Sequence, residues 1–304
     1  MDTATETHAS PAVDPALLEK SILEQELLIS PWTYYSSLRG GDPVHYDESI
    51  GMYLVSRYED LQTVVKDPFT FSVGHAWMRT FAPDHFEEFK KILIRDGGGY
   101  FPDAIMTDPP QHTRVRRLMQ AAFTPRRIKQ LEPAIRRIAA DLVDKLAARG
   151  EGDGVKDFSN PMTIAIMCEQ LGLGNVDAAK ISTWARAFSN VRTNLSREQL
   201  AVEAAHFCDL QNYIIELVRE RQNERREDMI SDLIYAREEG DGNPSLSFEE
   251  IVSLTRALLI GGLDSIGTAL SNRDPHPDIL RPGKPGGQQL QPLGTFRQHL
   301  KAVP

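Results

Sequence analysis

Asp264 and Ser265 place a carboxylate beside a hydroxyl inside a run that is otherwise apolar, Leu258 to Leu263 and then Ile266. An acid and a hydroxyl side by side can relay protons to a bound ligand. Directly before them stand Gly261 and Gly262. Two glycines inside a helix cost roughly 2 kcal/mol relative to alanine, so their presence asks for a reason. Close approach of a flat ligand to the helix backbone is one such reason. The alternative is that one helix ends at Gly262 and another begins with Asp264 or Ser265 as its cap.

A second set of chemically capable residues lies in Asp108-Pro109-Pro110-Gln111-His112-Thr113-Arg114-Val115-Arg116-Arg117. His112 and Arg116 are four apart, so on a helix they share a face and can pair with one anionic group. The planar fork of arginine suits carboxylates because it makes two parallel hydrogen bonds. A solvated basic face on a surface helix would carry the same residues. Gly97-Gly98-Gly99 lacks a following Lys-Ser or Lys-Thr, so it is no phosphate loop and is expected to be flexible. The two cysteines, Cys168 and Cys208, form no CxxC pair and read as small buried hydrophobes.

The elements that must position these groups are mostly helical. Pro43 to Tyr46 and Met52 to Ser56 read as a hairpin around Asp47-Glu48-Ser49-Ile50-Gly51, followed by a short helix over 58–66. The stretch from Phe69 to Met106 is loop-like, with room for a helix over 84–94. Asp108 with Pro109 or Pro110, and Thr124 with Pro125, open two helices, the second reaching about Arg149. Further helices are expected over 161–171, 177–191, 197–226 and 228–238. Ser247 and Glu250 form a capping box for an apolar helix that can run through Asn272, about 39 Å long.

Composition bounds the class of protein. The 304 residues are 41% hydrophobic and 25% charged, which suits a globular chain with a sizeable core. A net charge of -9 argues against nucleic acid as a partner, with Arg locally dense only from Arg114 to Arg137. That cluster suits either an acidic electron donor or plain solvation. Residues 1–14 are polar and acidic, unlike a secretory signal, and no apolar run reaches the length of a membrane span. A cytoplasmic protein with no membrane contact is expected.

The two chemical segments together resemble the bacterial cytochromes P-450. Asp108 to Arg117 with Phe123-Thr124-Pro125-Arg126 is similar to that family's helix C, and Leu258 to Ser265 to the centre of its helix I, with Ser265 where threonine is usual. The resemblance covers roughly 31–272 and implies a mainly α fold with a small β-hairpin or sheet, an incomplete cytochrome P-450 fold. It implies that His112 and Arg116 bind the propionates of haem b (heme b). It implies too that Gly261 and Gly262 let the helix pass over the haem face, and that Asp264 and Ser265 sit where dioxygen is activated. The Phe69 to Met106 segment would cover a small apolar organic substrate, and a ferredoxin-type protein would supply electrons.

The resemblance stops at Asn272. The family's Glu-x-x-Arg pair and Phe-x-x-Gly-x-x-x-Cys-x-Gly haem loop are not found beyond it, so no iron-ligating residue is assigned. Glu216-Leu217-Val218-Arg219 matches the first pattern but precedes helix I, as a surface coincidence. The last 32 residues hold six Pro and four Gly and carry +3, five Arg or Lys against two Asp. The domain reading is an extension over 1–30, a partial cytochrome P-450 domain over 31–272 and an unrelated tail over 273–304, expected to be disordered. A frameshift, an early stop or a wrongly placed gene end would produce this change. On this reading the chain belongs to a monooxygenase family but is inactive as given. A non-catalytic helical protein that binds a ligand or another protein, or a gene fragment without function, are the alternatives.

Overall fold

The computed structural model describes residues 13–74, 83–121, 123, 125–191, 195–237 and 245–272. The proposed tail over 273–304 lies outside the described residues, as do residues 1–12. The chain divides into two compact units, with the division between Ser72 and Val73.

The first unit holds α1 (Pro15–Leu18), α2 (Gln25–Ile29), α3 (Trp32–Gly41), β1 (Val44–Asp47), β2 (Met52–Val55) and α4 (Tyr58–Lys66). The expected hairpin is present and antiparallel, with Val44 opposite Val55 and Asp47 opposite Met52. Gly51 closes its turn at φ 64°, a left-handed conformation that a Cβ disfavours. Leu27, Tyr34 and Leu38 form a small buried core, so the two short helices before Pro31 pack with the residues after it.

Asp47 ties the hairpin to the segment between α1 and α2. Its carboxylate accepts from the Ile22 amide and the Ser21 hydroxyl, each at 2.9 Å, and from the amide and hydroxyl of Ser49. Burial works to raise its pKa, but the hydrogen bonds from Ser49, Ile22 and Ser21 outweigh it and hold the carboxyl at about 2. The ionised form is thus favoured in the fold, and its contribution is complete above the unfolded value near 4. It fades as pH falls towards 2. Asp47→Asn is expected to destabilise this unit at pH 7 by about 1–2 kcal/mol, with the difference shrinking below pH 4. Urea titrations of both chains at pH 7 and pH 3 check this, and a penalty that grows on acidification would contradict it.

The second unit is helical in its described residues: α5 (Pro83–Asp96), α6 (Gln111–Ala121), α7 (Pro125–Arg149), a π-helical turn (Gly154–Ser159), α8 (Asn160–Leu171), α9 (Ala178–Asn190), α10 (Arg197–Asn223), α11 (Met229–Tyr235) and α12 (Phe248–Asn272). The helices read from apolar spacing are found within a few residues of their expected ends. α10 starts at a capping box between Ser196 and Gln199 and buries Leu200, Ala204, Phe207, Gln211, Ile214 and Val218 along one face. Steps of three and four keep that stripe turned to the core. It packs against α5, α9, α11 and α12.

Two buried groups, Arg221 and Asp228, fasten the end of α10. Arg221 donates from Nε to Asp228 at 2.9 Å and from Nη2 to the Gly172 carbonyl. Asp228 in turn caps α11 by accepting from the Ser231 amide at 2.8 Å. Gly172 takes φ 72° at the end of α8, and a Cβ there would lie 2.2 Å from Asp228 Oδ2. Glu216 and Arg219 are both exposed, in keeping with a chance match to the Glu-x-x-Arg pattern.

α12 runs unbroken from Phe248 to Asn272, so no second helix starts at Asp264 or Ser265. Its capping box forms as expected, the Ser247 hydroxyl accepting from the Glu250 amide and the Ser247 amide donating to Glu250. By length and composition it is one helix apolar enough to cross a membrane. Its first half is core instead: Ile251 to Arg256 are all buried.

The triple glycine departs from expectation. Rather than forming a loose loop, Gly98 and Gly99 sit at φ 75° and 138°, and a Cβ at Gly98 would lie 2.7 Å from Ile215 Cδ1. The glycines serve close packing of this segment on α10. Side-chain contacts with Gly carbonyls are invisible to a reading based on glycine content alone.

Candidate active site

α6 carries the first candidate pair. His112 is half-buried and Arg116 exposed, one turn apart, and among the described residues neither side chain has a hydrogen-bond partner. Between them Arg114 turns the other way. It donates to the Ser245 carbonyl at 3.1 Å and pairs with Glu250, which fastens α6 to the start of α12. Much of the remaining basic cluster is also spent inside the chain: Arg127 pairs with Asp232, Arg136 with Glu132 and Arg137 with Glu169. Four arginines of the cluster over Arg114 to Arg137, which suits either docking or plain solvation, are thus paired with the chain's own carboxylates.

α12 carries the second set, eleven residues or roughly 16 Å beyond Glu250 along the helix. The two glycines have different surroundings. At Gly261 a Cβ would meet nothing within 4 Å, whereas at Gly262 it would lie 2.5 Å from Met167 Sδ on α8. Gly262 thus serves helix–helix packing, and Gly261 alone marks a bare backbone face. The Ser265 hydroxyl donates to the Gly261 carbonyl, one turn back, and lies on that exposed face. The side chain of Asp264 lies outside the described residues. His112, Arg116, Gly261 and Ser265 belong to the same unit, joined through the Arg114–Glu250 pair.

The two glycines give a direct comparison. Gly261→Ala is expected to stabilise the chain by roughly 0.5–1 kcal/mol through helix propensity. Gly262→Ala is expected to fall about 1 kcal/mol below it, because Met167 must move. Chemical denaturation of the two variants checks this; equal stabilities would contradict the packing role of Gly262.

Between α5 and α6 a cavity of about 460 Å³ is lined by Tyr100, Asp103, Met106, Thr107 and Gln111 among others. Burial pushes the Tyr100 phenol up. Behind this segment lie Gln211 and Arg256, both buried, which no motif signalled. The available hint was a lone Arg in the apolar run Ile251 to Ile260.

Neither cysteine is placed as an iron ligand. Cys168 lies in α8 and Cys208 in α10, and burial raises both thiol pKa values, that of Cys208 to about 11 with Asp96 adding to the effect and Arg95 opposing it. A ligating or reactive cysteine needs a stabilised thiolate, the reverse of these settings. No group of three or more His, Cys, Asp or Glu suited to a metal ion occurs among the described residues.

A haem fits the residues present on two counts. The His112–Arg116 pair offers ring and guanidinium N–H donors without an acceptor among the described residues, and Gly261 offers bare backbone to a flat ring. The architecture is that of a helical protein in which one long helix is core in its first half and partly exposed from Gly261 onward.

Comparison with known proteins gives this class its family. The chain is 33% identical over 245 residues to the mycinamicin IV hydroxylase/epoxidase of Micromonospora griseorubida, covering 78% of this chain and 56% of that protein. It is 29% identical over 246 residues to the putative cytochrome P450 YjiB of Bacillus subtilis, covering 80% and 57%. Among solved structures, cytochrome P450 CREJ in complex with (4-ethylphenyl) dihydrogen phosphate superposes with a TM-score of 0.68 at 27% identity, covering 87% and 62%. No family model matches. The matched part of the chain is related to the bacterial cytochromes P450, and its mainly helical fold with a small two-stranded sheet is theirs. The chain spans a little over half the length of the curated relatives it matches.

Proposed function

We propose that the chain carries the haem-facing helix and the propionate-binding helix of a cytochrome P450 monooxygenase. A whole enzyme of this kind would hydroxylate a small apolar organic substrate with O2 and a ferredoxin-type electron donor, in the cytoplasm. The observation that carries the reading is Gly261: a bare glycine at the centre of a long core helix, with the Ser265 hydroxyl on its carbonyl. The names of the relatives, a hydroxylase/epoxidase among them, support oxygen insertion as the reaction class.

Each residue then has a task that its chemistry suits. His112 and Arg116 would hold the haem propionates by charge-assisted hydrogen bonds. Gly261 leaves room for the ring. The Ser265 hydroxyl keeps two acceptor lone pairs while it donates to Gly261 and, on rotating, passes its proton outward. Asp264, next in the helix, would supply that proton from solvent. The haem, when bound, supplies the oxygen and electron chemistry.

The positions of Cys168 and Cys208 favour a more limited role for these 304 residues: haem binding without thiolate ligation, and hence without turnover. Absorption spectroscopy of the haem-loaded, reduced chain under carbon monoxide tests this. The expected spectrum lacks the thiolate-type band. A thiolate-type band that disappears in Cys168→Ser or Cys208→Ser would contradict it.

A further inference from the structure

We propose that Arg256 and Gln211 form a buried clamp that fixes the 97–107 segment and so sets the shape of the cavity lined by Tyr100, Asp103 and Thr107. The inference rests on reading that segment as the substrate-facing one, as in the proposed function. It makes Arg256 and Gln211 positioning residues for specificity.

Arg256 is a cation in the buried half of α12 and needs strong partners to remain there. It donates from Nη1 to Gln211 Oε1 at 2.6 Å and from Nη2 to the Phe101 carbonyl at 3.2 Å, and its guanidinium lies 4.9 Å from the Phe207 ring centre. Burial lowers its pKa to about 10, against the opposing pull of Asp103 and Tyr100, so it stays charged at neutral pH. Gln211, itself fully buried, uses its amide group in the other direction, donating to the Gly97 carbonyl at 2.6 Å and the Gly99 carbonyl at 2.8 Å.

The segment is thereby held from both sides. Asn212 donates to the Asp96 carbonyl at 2.8 Å, and the Ala104 amide donates to the Ser253 hydroxyl at 3.2 Å. The carbonyls of Gly97, Gly99 and Phe101 point at two helices, and the residues among and after them, Tyr100 and Asp103, face the cavity. Gly98 and Gly99 are needed because their φ values and the nearness of Ile215 and Phe101 leave no room for a Cβ. A loop held by buried donors presents one cavity shape rather than many.

Hydrogen exchange measured by mass spectrometry on the full chain tests the clamp without haem. Three variants separate its parts. Arg256→Met removes the charge. Gln211→Glu keeps a partner for Arg256 but deletes both donors to the glycine carbonyls. Arg256→Lys keeps the charge with a shorter reach. Exchange at 97–107, where the amides of Gly97, Gly99, Ala104, Ile105 and Met106 are hydrogen-bonded, is expected to speed up roughly 10- to 100-fold in the first two variants. Arg256→Lys should restore part of the protection, and 160–171 should exchange as in the parent. Unchanged protection at 97–107, or equal loss everywhere, would overturn the clamp. If Arg256→Met does not fold, Gln211→Glu decides. Haem uptake measured on the same samples reports the haem reading separately, so a loosened segment in a chain that takes up no haem leaves the clamp standing and the haem reading refuted.

Discussion

Replacing Arg221 with methionine is expected to destabilise the chain by about 3–5 kcal/mol, the cost of leaving a buried carboxylate without its cation. Arg221 and Asp228 have side chains only 2% and 6% exposed, so water cannot replace the lost partner. The substitution also strips a donor from the Gly172 carbonyl and loosens the carboxylate that caps α11. Three elements meet at this point, the ends of α8 and α10 and the start of α11. A loss of this size is a large share of an ordinary domain's stability. Urea denaturation followed by circular dichroism measures it; a change below about 1 kcal/mol would show that the network contributes little.

The largest expected effect on binding belongs to α6. The double variant His112→Ala/Arg116→Ala should lower haem affinity by about 100-fold or more, since two charge-assisted hydrogen bonds are removed. Its stability without haem should stay within about 0.5 kcal/mol of the parent, because neither side chain has a protein partner among the described residues. Arg114→Ala supplies the contrast. It loses Glu250 and the Ser245 carbonyl and is expected to cost stability, while haem affinity among folded molecules changes little. Should Arg114→Ala weaken haem binding as much as the double variant, the specific role of His112 and Arg116 would fail.

The helical frame was legible because amphipathic spacing, capping residues and prolines act locally. Ser247 with Glu250, and Pro125 at the head of α7, mark helix starts that the structure confirms. What the spacing missed was decided by distant contacts. The two glycines looked equivalent in sequence, yet Met167, almost a hundred residues earlier, gives Gly262 a packing role and leaves Gly261 bare. The triple glycine looked flexible, yet Gln211 holds two of its carbonyls. The basic cluster left docking and solvation open, and distant carboxylates, Glu250, Asp232 and Glu169, pair with Arg114, Arg127 and Arg137. Arg256 escaped notice because a single charge in an apolar run has no motif. Only its neighbours reveal its task.

The most direct test of the haem-cradle reading is a titration of the purified 304-residue chain with haem, followed by absorption and by quenching of tryptophan fluorescence. The account expects saturable uptake of one haem per chain, strongly weakened in the His112→Ala/Arg116→Ala variant. Uptake that does not saturate, or that is equal in the parent and the double variant, would contradict it.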